Sequence, residues 1–159
     1  GLPEHTTLAP EFRQDPTFAR TNGTRVGRDG CRVPLPWESG ASLSNGFSST
    51  GNAWLPQPDV YSSYARDLQE GVAGSTLELY KQALSLRKEL NLGHGTFAWD
   101  EQLSSENVLA YRNGRILIIH NFGDSVVSLP AGQVFIRSTN VHSAEHLLAS
   151  NETAWIATA

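Results

Sequence analysis

The chain has 159 residues, 39 % hydrophobic and 18 % charged, with a net charge of -4. That is enough apolar surface for a packed core and too little charge for wholesale disorder. The mild acidity and scattered Lys/Arg residues exclude a basic face for nucleic acid or an anionic membrane, and Cys31, the only cysteine, excludes an intrachain disulfide or a thiolate metal cluster.

No apolar run reaches the roughly 20 residues that cross a bilayer. The opening Gly1-Leu2-Pro3-Glu4-His5 has neither the basic start nor the apolar stretch of a secretion signal. A reducing, cytoplasmic location fits these features and the single cysteine. In that setting the literal glycosylation sequons at Asn22 and Asn151 read as chance matches.

Residues 1 to about 72 lack periodicity, and Gly, Pro, Ser, Thr and Asn crowd Thr21 to Pro58. So long a loop inside a compact domain is either disordered or functional. Trp37, Phe47 and Trp54 supply anchors that disordered segments seldom carry, so an ordered loop is expected.

From Ser75 the texture changes. Ser75 and Glu78 form a capping-box pair. Leu79, Tyr80, Ala83, Leu84, Leu86 and Leu90 then recur at helical spacing, predicting a helix over about 75–91 that stops at Gly93 or Gly95. Short strands are predicted at 96–99, 107–112, 115–122, 125–129, 133–138 and 153–158. Asn113-Gly114 between the second and third predicts a two-residue type I′ hairpin. Ile116 to Ile119 is a continuous apolar run, as expected of a strand buried on both faces. Six such strands read as a small antiparallel sandwich.

The segment Gly27-Arg28-Asp29-Gly30-Cys31-Arg32-Val33-Pro34-Leu35-Pro36-Trp37 resembles the Arg-Asp-x-x-Arg-x-Pro-x-x-Trp segment that follows the last barrel strand in α-glucosidases and oligo-1,6-glucosidases of glycoside hydrolase family 13. Arg13-Gln14-Asp15-Pro16, Trp54-Leu55-Pro56 and Leu79-Tyr80-x-x-Ala83-Leu84-x-Leu86-Arg87-Lys88 are similar to the same family in the same order. The version with Cys31 and Leu35-Pro36 looks most like the actinobacterial α-glucosidases.

That resemblance implies a β-dominated piece of a longer enzyme. Residues 1–72 would be the loop after the eighth strand of a (β/α)8 barrel, 73–93 the eighth barrel helix, and 94–159 an antiparallel β-sandwich C-terminal domain. Loops at the C-terminal ends of barrel strands build active sites, so residues 1–72 would form a substrate-contacting wall. Family members are retaining enzymes whose two carboxyl groups flank the glycosidic bond. Those carboxyls lie on earlier barrel strands, upstream of Gly1, so no catalytic residue is assigned and this piece alone is expected to be non-catalytic. By position Arg28 matches the family's pocket-closing arginine, and Arg32 matches the second arginine of the motif. Both are assigned to substrate binding, with a structural salt bridge as the alternative for each. A guanidinium suits the role because it stays charged and offers donors in a fixed fork.

The activity implied is exo-acting release of glucose from an α-glucoside oligosaccharide. The alternatives are a transferring relative, of the trehalose synthase or sucrose isomerase type, and a stand-alone sandwich that stabilises or binds glycan. The rest of the barrel is the implied partner, and without it the bared helix would favour self-association.

Other residues have plainer readings. Asp29, between two arginines in a Gly-flanked turn, reads as a loop-capping group. Trp37 and Trp54 read as pins for the loop, with sugar stacking as the alternative. Cys31 has no evident base partner and reads as a buried thiol. His142-Ser143-Ala144-Glu145-His146 has the spacing of a zinc-protease motif, but it falls in a short connection with no third ligand. No metal and no cofactor is expected.

Overall fold

Prolines and glycines keep residues 1–77 from forming sheet, because each proline removes a ladder donor and each glycine loosens the backbone. In the computed structural model, which describes residues 1–41, 43–139 and 144–158, the chain divides into two units, Gly1–Leu77 and Glu78–Ala159.

The described part of the first unit has no strand. It runs through a short helix, α1 (Pro16–Arg20), and through 3-10 turns at Pro10–Phe12, Asp29–Cys31, Ser44–Gly46, Asp59–Tyr64 and Arg66–Leu68. A small core of Leu8, Val33, Leu55 and Tyr61 gathers these turns. The Tyr61 hydroxyl donates to the Pro3 carbonyl at 2.9 Å, satisfying the polar tip of a buried ring. Trp54 packs edge-on against Phe47, with centroids 5.2 Å apart, and its indole N–H donates to the Arg32 carbonyl at 2.8 Å. Trp54 therefore pins the loop as expected.

Helix α2 spans Thr76–Glu89, within the predicted 75–91. Gln69 serves its start: the Gln69 side-chain oxygen accepts the Leu77 N–H at 3.2 Å, and the Ser75 hydroxyl donates to the Gln69 carbonyl at 2.7 Å. The helix ends earlier than Gly93 or Gly95. Asn91, left-handed at φ 53°, turns the chain out, a role asparagine can fill in place of glycine. No α2 residue is fully buried, and Tyr80 and Leu84 are each 63 % exposed.

The second unit is an antiparallel β structure. Its strands are β1 (Phe97–Trp99), β2 (Val108–Asn113), β3 (Ile116–Asn121), β4 (Val127–Ser128), β5 (Gln133–Arg137), β6 (Leu147–Leu148) and β7 (Glu152–Ala157). One sheet has the order β1-β2-β3-β7-β5, and β4 pairs with β6 in a second. The sequence reading lacked β6. Leu148 of β6 and Val127 of β4 pack on Val108, Ala110, Leu117, Ile119, Ala154 and Ile156, so the small sheet covers one face of the large one. On the opposite face Ile116 and Ile118 meet Leu92, Phe135 and Trp155. β3 is thus buried on both faces, as its unbroken apolar run predicts, and each such side chain contributes about 1.5–3 kcal/mol by leaving water.

The hairpin corrects the sequence reading by one residue. Asn113 pairs with Ile116, so the two-residue loop is Gly114-Arg115. Gly114 has φ 59°, and Asn113 and Arg115 are absent from the residues with positive φ, as in a type II′ turn rather than type I′. A loop at Asn113-Gly114 would have set Arg112 opposite Arg115, a like-charge pair. In the observed register Arg112 faces Leu117 and donates to Asp100 at 3.0 Å. The Asn113 side chain instead donates to the Leu92 carbonyl at 3.0 Å.

The described residues contain no helix long and apolar enough to cross a membrane. His142 and Ser143 of the zinc-like motif lie outside the described residues, among which no metal-binding group of His, Cys, Asp and Glu occurs.

Candidate functional site

The arginine loop is built on two aspartates. Asp15 precedes Pro16, and its Oδ1 accepts the Thr17 N–H at 2.9 Å, an N-cap with proline at the first helical position. Its Oδ2 accepts the Arg28 backbone N–H at 3.1 Å and lies 3.3 Å from Arg32 Nη1. Asp29, buried, accepts the backbone N–H groups of Gln14 and Asp15 on Oδ2 at 2.9 and 2.8 Å. Its Oδ1 lies 3.7 Å from Arg32 Nη1.

Gly27 makes this approach possible. It has φ +70°, and a Cβ there would lie 2.6 Å from Asp15 Cβ and Cγ. Any other residue would combine backbone strain with a clash against a side chain already bonded on both oxygens.

The electrostatics follow from the donors. The Thr17 backbone N–H, then the Thr17 hydroxyl and the Arg28 N–H, hold the Asp15 carboxyl down to about 2, against a smaller upward push from burial. A carboxylate so held stays ionised at neutral pH and has no proton to donate as a general acid. Asp15 and Asp29 both serve here to hold the loop's backbone.

The two predicted binding residues separate. Arg32, about half exposed, is paired with Asp15 and Asp29. Arg28 is held through its backbone, is exposed, and has no side-chain hydrogen bond or ion pair within the described residues. Asp29 fills the loop-capping role expected of it. Cys31 departs from expectation: its thiol is exposed, because the turn Asp29–Cys31 buries Asp29 and Gly30 and leaves the third residue outward. The acid that organises the loop, Asp15, was not singled out as a site residue. Its signal was the Asp-Pro pair, which marks a helix start, but nothing local joins it to a loop 13 residues on.

A probable α-glucosidase of Rhizobium meliloti (strain 1021) is 42 % identical over 78 residues, covering 49 % of this chain and 14 % of that protein. An α-glucosidase of Apis mellifera is 27 % identical over 136 residues, covering 79 % of this chain and 23 % of that protein. The crystal structure of the α-glucosyl transfer enzyme XgtA matches 99 % of this chain and 31 % of its own, with a TM-score of 0.74 and 29 % identity. These likenesses point to a C-terminal region of the α-amylase family, glycoside hydrolase family 13. A trehalose-6-phosphate hydrolase of Bacillus licheniformis has the same fold over 96 % of this chain and 32 % of its own, at TM-score 0.65 and 21 % identity. No family model matches the chain. The β-dominated, antiparallel architecture matches the C-terminal domain of glycoside hydrolase family 13 enzymes. The chain spans between 14 % and 32 % of the length of these four proteins.

Proposed function

We propose that this chain is the C-terminal part of an exo-acting, retaining α-glucosidase, and that Arg28 closes its sugar pocket. The observation that carries this reading is the Arg28 guanidinium, which is exposed on a loop where Asp15 and Asp29 already hold backbone N–H groups and Arg32. An arginine whose side chain makes no hydrogen bond or ion pair among the described residues is available to a carboxylate from another loop or to sugar hydroxyls. Likeness to two α-glucosidases supports the substrate class. The reading gives Arg32 a secondary part, bracing the loop beside the sugar.

On this reading residues 1–72 are a substrate-contacting loop, 73–93 the last helix of a (β/α)8 barrel and 94–159 an appended domain, in a cytoplasmic enzyme. The catalytic carboxyls belong to the rest of the barrel, which packs on the apolar face of α2. The exposed Tyr80 and Leu84 support such a partner, and alone the chain would self-associate through them.

The test is made in the full-length enzyme. Arg28→Lys should reduce maltose turnover by about 10- to 100-fold, the loss expected for one charge-assisted hydrogen-bonding group. Unchanged turnover would overturn the assignment. A second reading, glucosyl transfer, is favoured by the likeness to the transfer enzyme XgtA. Product analysis separates the two: free glucose means hydrolysis, and a rearranged or longer oligosaccharide means transfer.

A further inference from the structure

The first unit contains a polar concavity of about 640 Å³, whose lining includes Phe12, Asn45, Asn52, Gln57 and Asp59 but neither Arg28 nor Arg32. We infer that it is a saccharide site, a subsite for a pyranose ring separate from the arginine loop.

The chemistry of the lining selects the ligand class. The volume falls within the range of about 300–1,000 Å³ usual for small-molecule sites. Among the described residues of the lining Asp59 is the only charged one, with no Lys, Arg or His, so a phosphate or carboxylate would meet repulsion with no compensating cation. A neutral ligand rich in hydroxyls fits better. Each hydroxyl can donate to the Asp59 carboxylate, which only accepts, and exchange both roles with an Asn or Gln amide. Phe12, 41 % exposed, offers an apolar surface for the C–H face of a sugar ring.

The site is also held in shape before any ligand arrives. Ser44, Asn45 and Gly46 are consecutive left-handed residues, at φ 48°, 47° and 74°, an arrangement that persists only where the surroundings enforce it. Here the Asn45 carbonyl accepts the backbone N–H groups of Trp37 and Glu38 at 2.7 and 2.9 Å, and the Ser44 hydroxyl donates to the Gly51 carbonyl. Asn45 Nδ2 donates to Gln57 Oε1 at 3.0 Å, and Gln57 Nε2 to the Pro34 carbonyl at 3.0 Å. Asn45 Oδ1, the Asn52 side-chain amide and the Asp59 carboxylate have no hydrogen bond to another described residue. Three polar groups are thus left to face a ligand, on a loop whose other bonds are satisfied.

The pyranose class rests on this lining; the choice of an α-glucoside rests on the proposed glucosidase function. Both are tested by ¹H–¹⁵N NMR on the 159-residue chain, titrated with maltose and, separately, with lactose. Maltose should move the side-chain amide signals of Asn45, Asn52 and Gln57 saturably, while Arg28 Nε–H stays put. Phe12→Ala and Asp59→Ala, both at exposed positions, should each weaken binding at least 5-fold with backbone spectra retained. Saturable binding of lactose equal to that of maltose would uphold the pyranose site and overturn its α-glucoside identity. No saturable shift with either sugar, or binding indifferent to both substitutions, would overturn the site and leave the glucosidase reading to the turnover test on Arg28.

Discussion

Asp15 and Asp29 brace the same loop in opposite directions: the Asp29 carboxylate accepts the Asp15 backbone N–H at 2.8 Å, and the Asp15 carboxylate accepts the N–H of Arg28, the residue before Asp29, at 3.1 Å. Two acids 14 positions apart therefore fix each other's backbone. The arginines between and beside them inherit their positions from that lock.

The lock has an acid limit. The Asp15 pKa in the folded chain, about 2, lies below its ordinary 3.8. Its stabilising contribution is therefore fully present above about pH 4 and is lost as pH falls through about 2. Thermal unfolding followed across pH 2–5 should show this limb in the wild type and a flatter one in Asp15→Asn. Asp15→Ala also removes the N-cap and should lower the thermal midpoint further than Asp15→Asn, which keeps a capping oxygen.

In the second unit, Arg137 and Glu152 form a buried pair at 3.2 Å, with side chains 8 % and 0 % exposed. Arg137 also donates to the Leu147 carbonyl, and Glu152 accepts the Ala149 N–H, each at 2.7 Å. Glu152→Gln would leave the guanidinium buried beside a neutral partner, and about 3–5 kcal/mol of stability should be lost. Urea unfolding measures it. Combined with Arg137→Met, the loss should fall short of the sum of the two single changes.

The hairpin turn gives a cleaner backbone test. A Cβ at Gly114 would meet nothing within 4 Å, so any penalty is conformational. Gly114→Ala should destabilise by about 1–2 kcal/mol, and Gly114→Asn by less, since asparagine tolerates positive φ. Equal stabilities in urea would contradict the observed turn.

His120 stacks between Tyr111 and Phe122, at 5.7 and 5.9 Å, and its Nδ1 is 2.8 Å from the Thr153 hydroxyl. Burial lowers its pKa below 6.5, which disfavours the charged ring. Its contribution to stability is present above pH 6.5 and is lost as pH falls through the lowered value. An NMR titration of the His120 ring should give a midpoint below 6.5, and a midpoint above it would contradict the burial.

Helix α2 and strand β3 are legible in the sequence because local repetition and local burial agree there. Apolar residues return every three or four positions in one, and run unbroken in the other. Strand β6 is not legible, because Leu147-Leu148 carries no alternation and becomes a strand only by lying against Val127-Ser128. The hairpin slip has a similar cause. Asn-Gly is a strong local turn signal, but the bond from Asn113 to the distant Leu92 carbonyl keeps Asn113 in the strand. At the arginine loop the motif singles out Arg28 and Arg32, while the pairing of Arg32 with Asp15 and Asp29 depends on Asp15 folding back past Gly27. The polar concavity has no motif, since Phe12, Asn45, Asn52, Gln57 and Asp59 are joined only by the fold.

Cys31 lies exposed on that same loop, three residues from Arg28 and adjacent to Arg32. As the chain's sole thiol, it will take a single maleimide dye or nitroxide with no engineered mutation. A spectroscopic reporter attached there sits beside the arginines, and its emission or line shape would show in real time whether sugar reaches them as proposed.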